Sequence, residues 1–160
     1  MILVVGLSPA WQRTLEFDSL RLGEVNRAKR VRETASGKGV NVARVARQLG
    51  AKVRLLTIAG GHRGKLLARE LPGARIVPVR AETRICQTIL AGRATELVEE
   101  AGPLQRDEVD RVLRAFADEL RSASLVVLTG TVPGGCSDGF YGRLVRAARR
   151  RGVQIGRAHV

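Results

Sequence analysis

Lys38 stands between two glycines at the head of the stretch Thr34–Gly50, TASGKGVNVARVARQLG. Ser36, Gly37 and Gly39 carry little or no side chain, so the backbone can approach a ligand that a Cβ would hold off. Downstream, Val42, Val45, Ala46 and Leu49 recur at i, i+3, i+4 and i+7, one face of a helix. The amides of such a helix's first turn point at whatever lies before it, and its dipole favours negative charge there. Lys38 adds a full positive charge at the same spot. Asn41, one turn in, can both donate and accept hydrogen bonds. The chemistry this suits is the holding of hydroxyls or of a phosphate. A lone Gly-Lys-Gly would equally suit a turn that merely starts a helix, so the rest of the chain has to decide.

Two commoner phosphate-binding patterns are excluded. A Gly-x-x-x-x-Gly-Lys-Ser/Thr loop would need glycine where Arg32 stands and a hydroxyl in place of Gly39. A dinucleotide-binding turn starting at Gly37 would need glycine in place of Val42 and a strand directly before it.

Elements must position these residues, and composition says what they are made of. With 160 residues, 44% of them hydrophobic, the chain is one domain or part of one. A complete domain of this size would bury roughly 68–70% of its unfolded surface. Aromatics are only 3%, so the core has to be Val, Leu, Ile and Ala. The net charge is +13, nearly all of it arginine. Such a charge suits polyanions in general. The arginines are scattered over every segment, however, with only Arg149-Arg150-Arg151 forming a run, and base-stacking aromatics are scarce. A basic surface without a specific nucleic-acid partner is therefore expected. Cys86 and Cys136 match no metal-ligand spacing, so reduced thiols, no metal site and a cytoplasmic setting are expected. No apolar run approaches a membrane span, and Ile2–Leu7 lacks the length and basic leader of a signal sequence.

Ile2 to Val5 reads as a strand buried on both faces. The loop from Leu7 to Gln12 leaves its carboxyl end, where open α/β sheets bind ligands. Thr14–Phe17 and Val25–Glu33 read as exposed strands of a small outer sheet. Lys52–Ile58 is a second core strand, Gly64–Leu71 a short helix and Arg75–Val79 a strand. Thr83–Leu90 and Thr95–Val98 form a hairpin turning near Gly92. Asp107–Leu120 is a helix with Val109, Val112, Leu113, Phe116 and Leu120 on one face. Leu125–Leu128 is a buried strand, and Phe140–Arg150 a helix with Leu144, Val145 and Ala148 inward. Short buried strands alternating with helices predict a layered α/β fold with a mainly parallel sheet.

SGKGVNVARVARQLG followed by IAGG resembles the first signature of the PfkB (ribokinase-like) carbohydrate kinases, nearest to the branch of 1-phosphofructokinase and tagatose-6-phosphate kinase. LSPAWQ, AETRICQTIL, TELVEEAGP and LTGTVPGG agree with the same family in the same order, from Ile2 to Arg151. The resemblance implies a ribokinase-like, doubly wound, mainly parallel sheet with a small β-sheet lid, and a sugar held between them. It assigns Gln12, Gly37, Lys38, Gly39 and Asn41 to the sugar or its phosphate and Arg84 to a substrate phosphate, as guanidinium forks suit phosphate oxygens. Gly130 would flank the site of transfer. ATP and Mg²⁺ are the implied cofactors, a sugar phosphate the implied small-molecule partner, and a homodimer through the lid the implied assembly.

Three departures bear on the substrate. Where the family has Asp in Asn-Pro-Ala-x-Asp, this chain has the uncharged Gln12. Val98 replaces the Asn of Thr-Glu-x-Asn-Glu, and Ser-Gly-Ser is Thr129-Gly130-Thr131, which keeps both hydroxyls. The family's second signature, Asp-Thr-x-Gly-Ala-Gly-Asp, carries the catalytic base and an anion hole, and this chain does not contain it. No catalytic residue is therefore assigned. Residues 1–154 are expected to be the N-terminal part of a single kinase domain: the substrate-binding half, truncated and inactive alone. Ile155–Val160 is expected to be a non-native tail that does not continue as a strand, because it matches what a common sequencing adapter encodes; His159 is given no role.

Overall fold

The computed structural model describes residues 1–158. Its larger sheet is built on β1 (Ile2–Val5), whose three buried residues Leu3, Val4 and Val5 contribute roughly 1.5–3 kcal/mol each relative to exposure. Around it lie β4 (Val53–Ala59), β5 (Arg75–Pro78), β8 (Leu125–Thr129) and β9 (Gln154–Ala158), in the order β5-β4-β1-β8-β9, every pair parallel. Successive side chains go to opposite faces. Leu3, Val5, Leu56, Ile58, Val126 and Leu128 meet Val112, Phe116, Leu144 and Ala148 of helices α3 (Arg106–Glu119) and α4 (Phe140–Arg150). Val4 and Leu55 meet Val40, Ala43 and Leu67 of α1 (Lys38–Gln48) and α2 (Gly61–Glu70) on the other face. The sheet is thus doubly wound, as expected.

A second sheet, β3-β2-β6-β7, forms the lid from β2 (Ala10–Glu16), β3 (Arg30–Ser36), β6 (Ile85–Ala91) and β7 (Arg93–Val98). β2 runs parallel to β6; the two outer pairs are antiparallel. The β6–β7 turn passes through Gly92 at φ 72°.

Carboxylates fix two of the helix starts. The buried Glu108 closes a capping box on α3, accepting from the Gln105 amide at 2.8 Å, and also accepts from the Arg80 amide at 2.7 Å. Asp107 pairs with Arg80 and Arg111, and these bonds hold its carboxyl down at about 2. Glu82 accepts from the amides of His62 and Arg63 at the start of α2, and those bonds lower its pKa.

Four expectations are corrected. β2 begins at Ala10, directly after Pro9, so Gln12 lies in a strand rather than in the loop. β3 begins at Arg30 rather than Val25, because the Asn26 side chain bonds Arg21 and Glu24 main-chain groups and curls the segment before it. α1 buries Gly39, Val40 and Ala43, leaving Val45 and Leu49 exposed at 53% and 82%. The close approach of Gly39 to Gly6 sets its rotation. The backbone after Gln154 does continue as a strand: β9 pairs with β8 from Gln154 to Ala158, since ladder hydrogen bonds are made by the main chain whatever the side chains. His159 and Val160 lie outside the described residues.

Candidate functional site

The carboxyl ends of β1 and β8, the start of α1 and one face of the lid enclose a cavity of about 430 Å³. Gln12, Gly37, Lys38, Gly39, Asn41, Arg84 and Gly130 all line it. They come from separate stretches of chain, and the two sheets bring them together at the end of the parallel strands.

The glycines serve this junction differently from the sequence reading. A Cβ on Gly39 would lie 2.6 Å from the Cα of Gly6, and one on Gly6 would lie 2.6 Å from the Cα of Gly39. The end of β1 and the start of α1 thus cross backbone to backbone. A Cβ on Gly37, at φ 112°, would lie 2.9 Å from the Cα of Pro9. At Gly37 and Gly39 it is the chain itself, before any ligand, that demands glycine. The close crossing brings the α1 terminus to the strand ends. Intrahelical bonding begins with Asn41 N–H donating to Gly37 O at 2.9 Å, and no side chain caps Gly37. The opening turn therefore offers amides and the positive end of a dipole to the cavity.

Arg84 is tied to the loop that follows β1. Its Nη2 donates to Ser8 O at 3.2 Å, Nε to Pro9 O at 3.4 Å and Nη1 to Glu99 O at 3.1 Å. Of five N–H groups, two remain for a ligand. Gln12 Nε2 donates to Thr88 Oγ1 at 2.8 Å, which leaves its carbonyl oxygen and one N–H.

Several lining residues had no site role assigned from the sequence. Glu96 and Glu100 put carboxylates in the cavity, and Cys86 puts a thiol there whose pKa burial pushes up. Thr129 is 2% exposed, and its Oγ1 is buried without a hydrogen-bond partner among the described residues. An orphan hydroxyl of this kind costs about 1–3 kcal/mol, which a polar ligand would offset. Outside the cavity wall, Tyr141 of α4 sets the loop: its hydroxyl lies 3.1 Å from both Thr129 O and Gly130 O. Burial, and to a lesser degree Cys136, pushes its pKa up to about 12, so it donates at any ordinary pH. Nothing local in the sequence marks Tyr141; only the register of α4 on β8 does.

The sequence matches the pfkB family of carbohydrate kinases over residues 1–159. The chain belongs to that family. It is 28% identical to a possible 1-phosphofructokinase from Thermotoga maritima, with a TM-score of 0.92 over 98% of this chain and 53% of that one. Phosphofructokinase-2 from Escherichia coli, solved in complex with fructose-6-phosphate, is 21% identical with a TM-score of 0.87, over 98% of this chain and 54% of that one. Arabidopsis thaliana ribokinase, complexed with ribose and ATP, is 20% identical with a TM-score of 0.70, over 98% and 52%. The fold is ribokinase-like, and this pfkB chain spans about half the length of the solved structures it matches. Among the described residues no group of three or more His, Cys, Asp or Glu side chains converges as metal ligands would, so none is assigned to Mg²⁺. Among the described residues no helix is long and apolar enough to cross a membrane.

Proposed function

We propose that this chain forms the sugar-phosphate-binding side of an ATP-dependent carbohydrate kinase, acting on a substrate of the fructose 1-phosphate or tagatose 6-phosphate type. The observation that carries the reading is the meeting of Lys38, Asn41, Arg84 and Gln12 around one cavity at the carboxyl ends of a parallel sheet. In phosphoryl transfer the protein contributes mainly position and charge. Lys38 and the α1 terminus supply charge for a substrate phosphate, and the two uncommitted N–H groups of Arg84 supply directed donors. Asn41 and Gln12 suit hydroxyls, being donors and acceptors at once. The Thr129–Thr131 loop, held by Tyr141, would flank the reacting hydroxyl. ATP, when bound, supplies the phosphoryl group. The base that removes the hydroxyl proton is not assigned to a residue of this chain. Because the matched structures are about twice as long, the chain alone is expected to bind substrate without turning it over. Pairing of two lids belongs to the same proposal, and the exposure of Leu97 on β7 supports it.

One observation favours a second reading, an unphosphorylated sugar: three Arg84 bonds are already spent on carbonyls. Titration calorimetry of the chain with fructose 1-phosphate, tagatose 6-phosphate and fructose separates the two. The sugar phosphates are expected to bind at least tenfold more tightly than fructose, the scale of one charge-assisted hydrogen bond. That preference is expected to vanish in Lys38→Met and Arg84→Gln. Equal affinity for fructose and its phosphates would establish the second reading, and no affinity for any of them would refute both.

A further inference from the structure

We infer that Glu96 is the specificity-determining residue of this cavity, accepting a hydroxyl from the sugar part of the ligand; the inference rests on the sugar-phosphate reading above. Among the described residues the cavity's charged side chains are two cations, Lys38 and Arg84, and two carboxylates, Glu96 and Glu100. A bare anion gains nothing from the carboxylates and is repelled by them. A ligand with an anion at one end and hydroxyls at the other uses both kinds of wall.

Three acids crowd the end of β7, and the structure separates their uses. Glu99 is spent: its Oε2 accepts from the Ile85 amide at 2.9 Å and pairs with Arg63 at 3.6 Å. Glu100 follows the end of β7, outside its ladder. Glu96 lies within the ladder, directly opposite Thr88, and the Thr88 hydroxyl holds Gln12 Nε2. Gln12 pairs with Cys86, and Cys86 with Val98, two residues from Glu96. Since side chains two apart share a face, Gln12, Cys86, Glu96 and Val98 line the cavity as one patch of the lid. Within that patch Gln12 is neutral and has one N–H committed, whereas the Glu96 carboxylate makes no hydrogen bond or ion pair with any described residue. An ionised carboxylate only accepts. Placed where Lys38 and Arg84 draw a phosphate, it selects for a ligand that also brings a hydroxyl donor.

The test is titration calorimetry of the chain and of two variants, Glu96→Ala and Glu96→Gln, with fructose 1-phosphate and with inorganic phosphate. Glu96 is exposed on an edge strand and its side chain carries no structural bond, so both variants should fold like the parent, which amide spectra verify. The readout is the ratio of the two affinities. In Glu96→Ala the preference for the sugar phosphate is expected to fall roughly tenfold, the scale of a hydrogen bond to a charged group. Glu96→Gln keeps an acceptor and should fall less. If Glu96 acts only as a charge, both ligands bind more tightly in the variants and the ratio stays put; that result overturns the inference and leaves the sugar-phosphate reading standing. If the unsubstituted chain does not prefer the sugar phosphate over inorganic phosphate, that reading fails first and the inference falls with it.

Discussion

Gly39→Ala puts the backbone crossing of β1 and α1 to a direct test. The new methyl carbon would sit 2.6 Å from the Cα of Gly6 and 3.1 Å from its nitrogen. Both atoms are main chain, in a residue that follows the buried Leu3, Val4 and Val5 of β1, so no rotamer change can relieve the contact. The helix start would have to retreat by about 1 Å to restore ordinary contact, and overpacking of this kind costs about 1–3 kcal/mol. Against it stands the intrinsic preference of a helix for Ala over Gly, up to about 1 kcal/mol. Gly142→Ala in α4 separates the two effects. There the nearest atom outside the helix backbone is the Arg146 guanidinium tip, 3.4 Å away on a flexible side chain. Both variants gain helix propensity; only Gly39→Ala meets backbone. In urea denaturation, Gly142→Ala should be at least as stable as the parent, and Gly39→Ala should fall below it by about 1–3 kcal/mol. The retreat also moves Lys38 and Asn41 away from the strand ends, so affinity for fructose 1-phosphate should drop in Gly39→Ala alone. If the two variants unfold within about 0.5 kcal/mol of each other, smaller than any overpacking cost, the crossing does not exist as described.

Tyr141 is the chain's single tyrosine, so the rise in ultraviolet absorbance on forming tyrosinate reports its ionisation alone. The folded protein should form tyrosinate near about 12, against an ordinary value of 10.0 once unfolded. Because the folded pKa is the higher, the stabilisation is complete below pH 10.0 and is lost as pH rises through about 12; titration at the ordinary value in the folded chain would contradict its burial. Tyr141→Phe should cost about 0.5–1.5 kcal/mol, one net hydrogen bond, and loosen the Thr129–Gly130 loop, measured as lower affinity for fructose 1-phosphate. The Asp107 carboxyl has the opposite sign: its folded pKa of about 2 lies below the ordinary 3.8, so its contribution is present above pH 3.8 and is lost as pH falls toward 2. Asp107→Asn should remove that part of the acid dependence in denaturation midpoints measured between pH 5 and 2, and an unchanged acid profile would refute the pairing with Arg80 and Arg111.

What the sequence could reveal here follows the range of the forces involved. The core strands and α3 were legible because their cause is local: a run such as Ile2–Val5 or the spacing of Val109, Val112 and Phe116 can be buried in only one way. The α1 face was misread because its rotation is set by Gly39 meeting Gly6, a contact between residues far apart that no periodicity of Val45 and Leu49 can express. Of the cavity residues, Lys38 and Asn41 could be picked out from their own surroundings, with glycines before a helix. Arg84, Gln12 and Gly130 were picked out only through the family resemblance, since each is unremarkable where it stands. Glu96, Thr129 and Tyr141 depend on strand register and helix packing. Glu96 and Thr129 stand in segments that carry the resemblance, but their place in the cavity, like that of Tyr141 behind it, became visible only once the lid strands paired and α4 lay beside β8. The same division bears on engineering. Changes to the locally encoded Lys38 turn should act mainly on phosphate, whereas changes to the register-encoded lid residues should act mainly on which sugar accompanies it. A set of variants at Lys38 and Glu96 measured against fructose 1-phosphate and inorganic phosphate would show independent effects if the two walls act separately. A coupling beyond about 0.5 kcal/mol would mean that they touch the same ligand atoms.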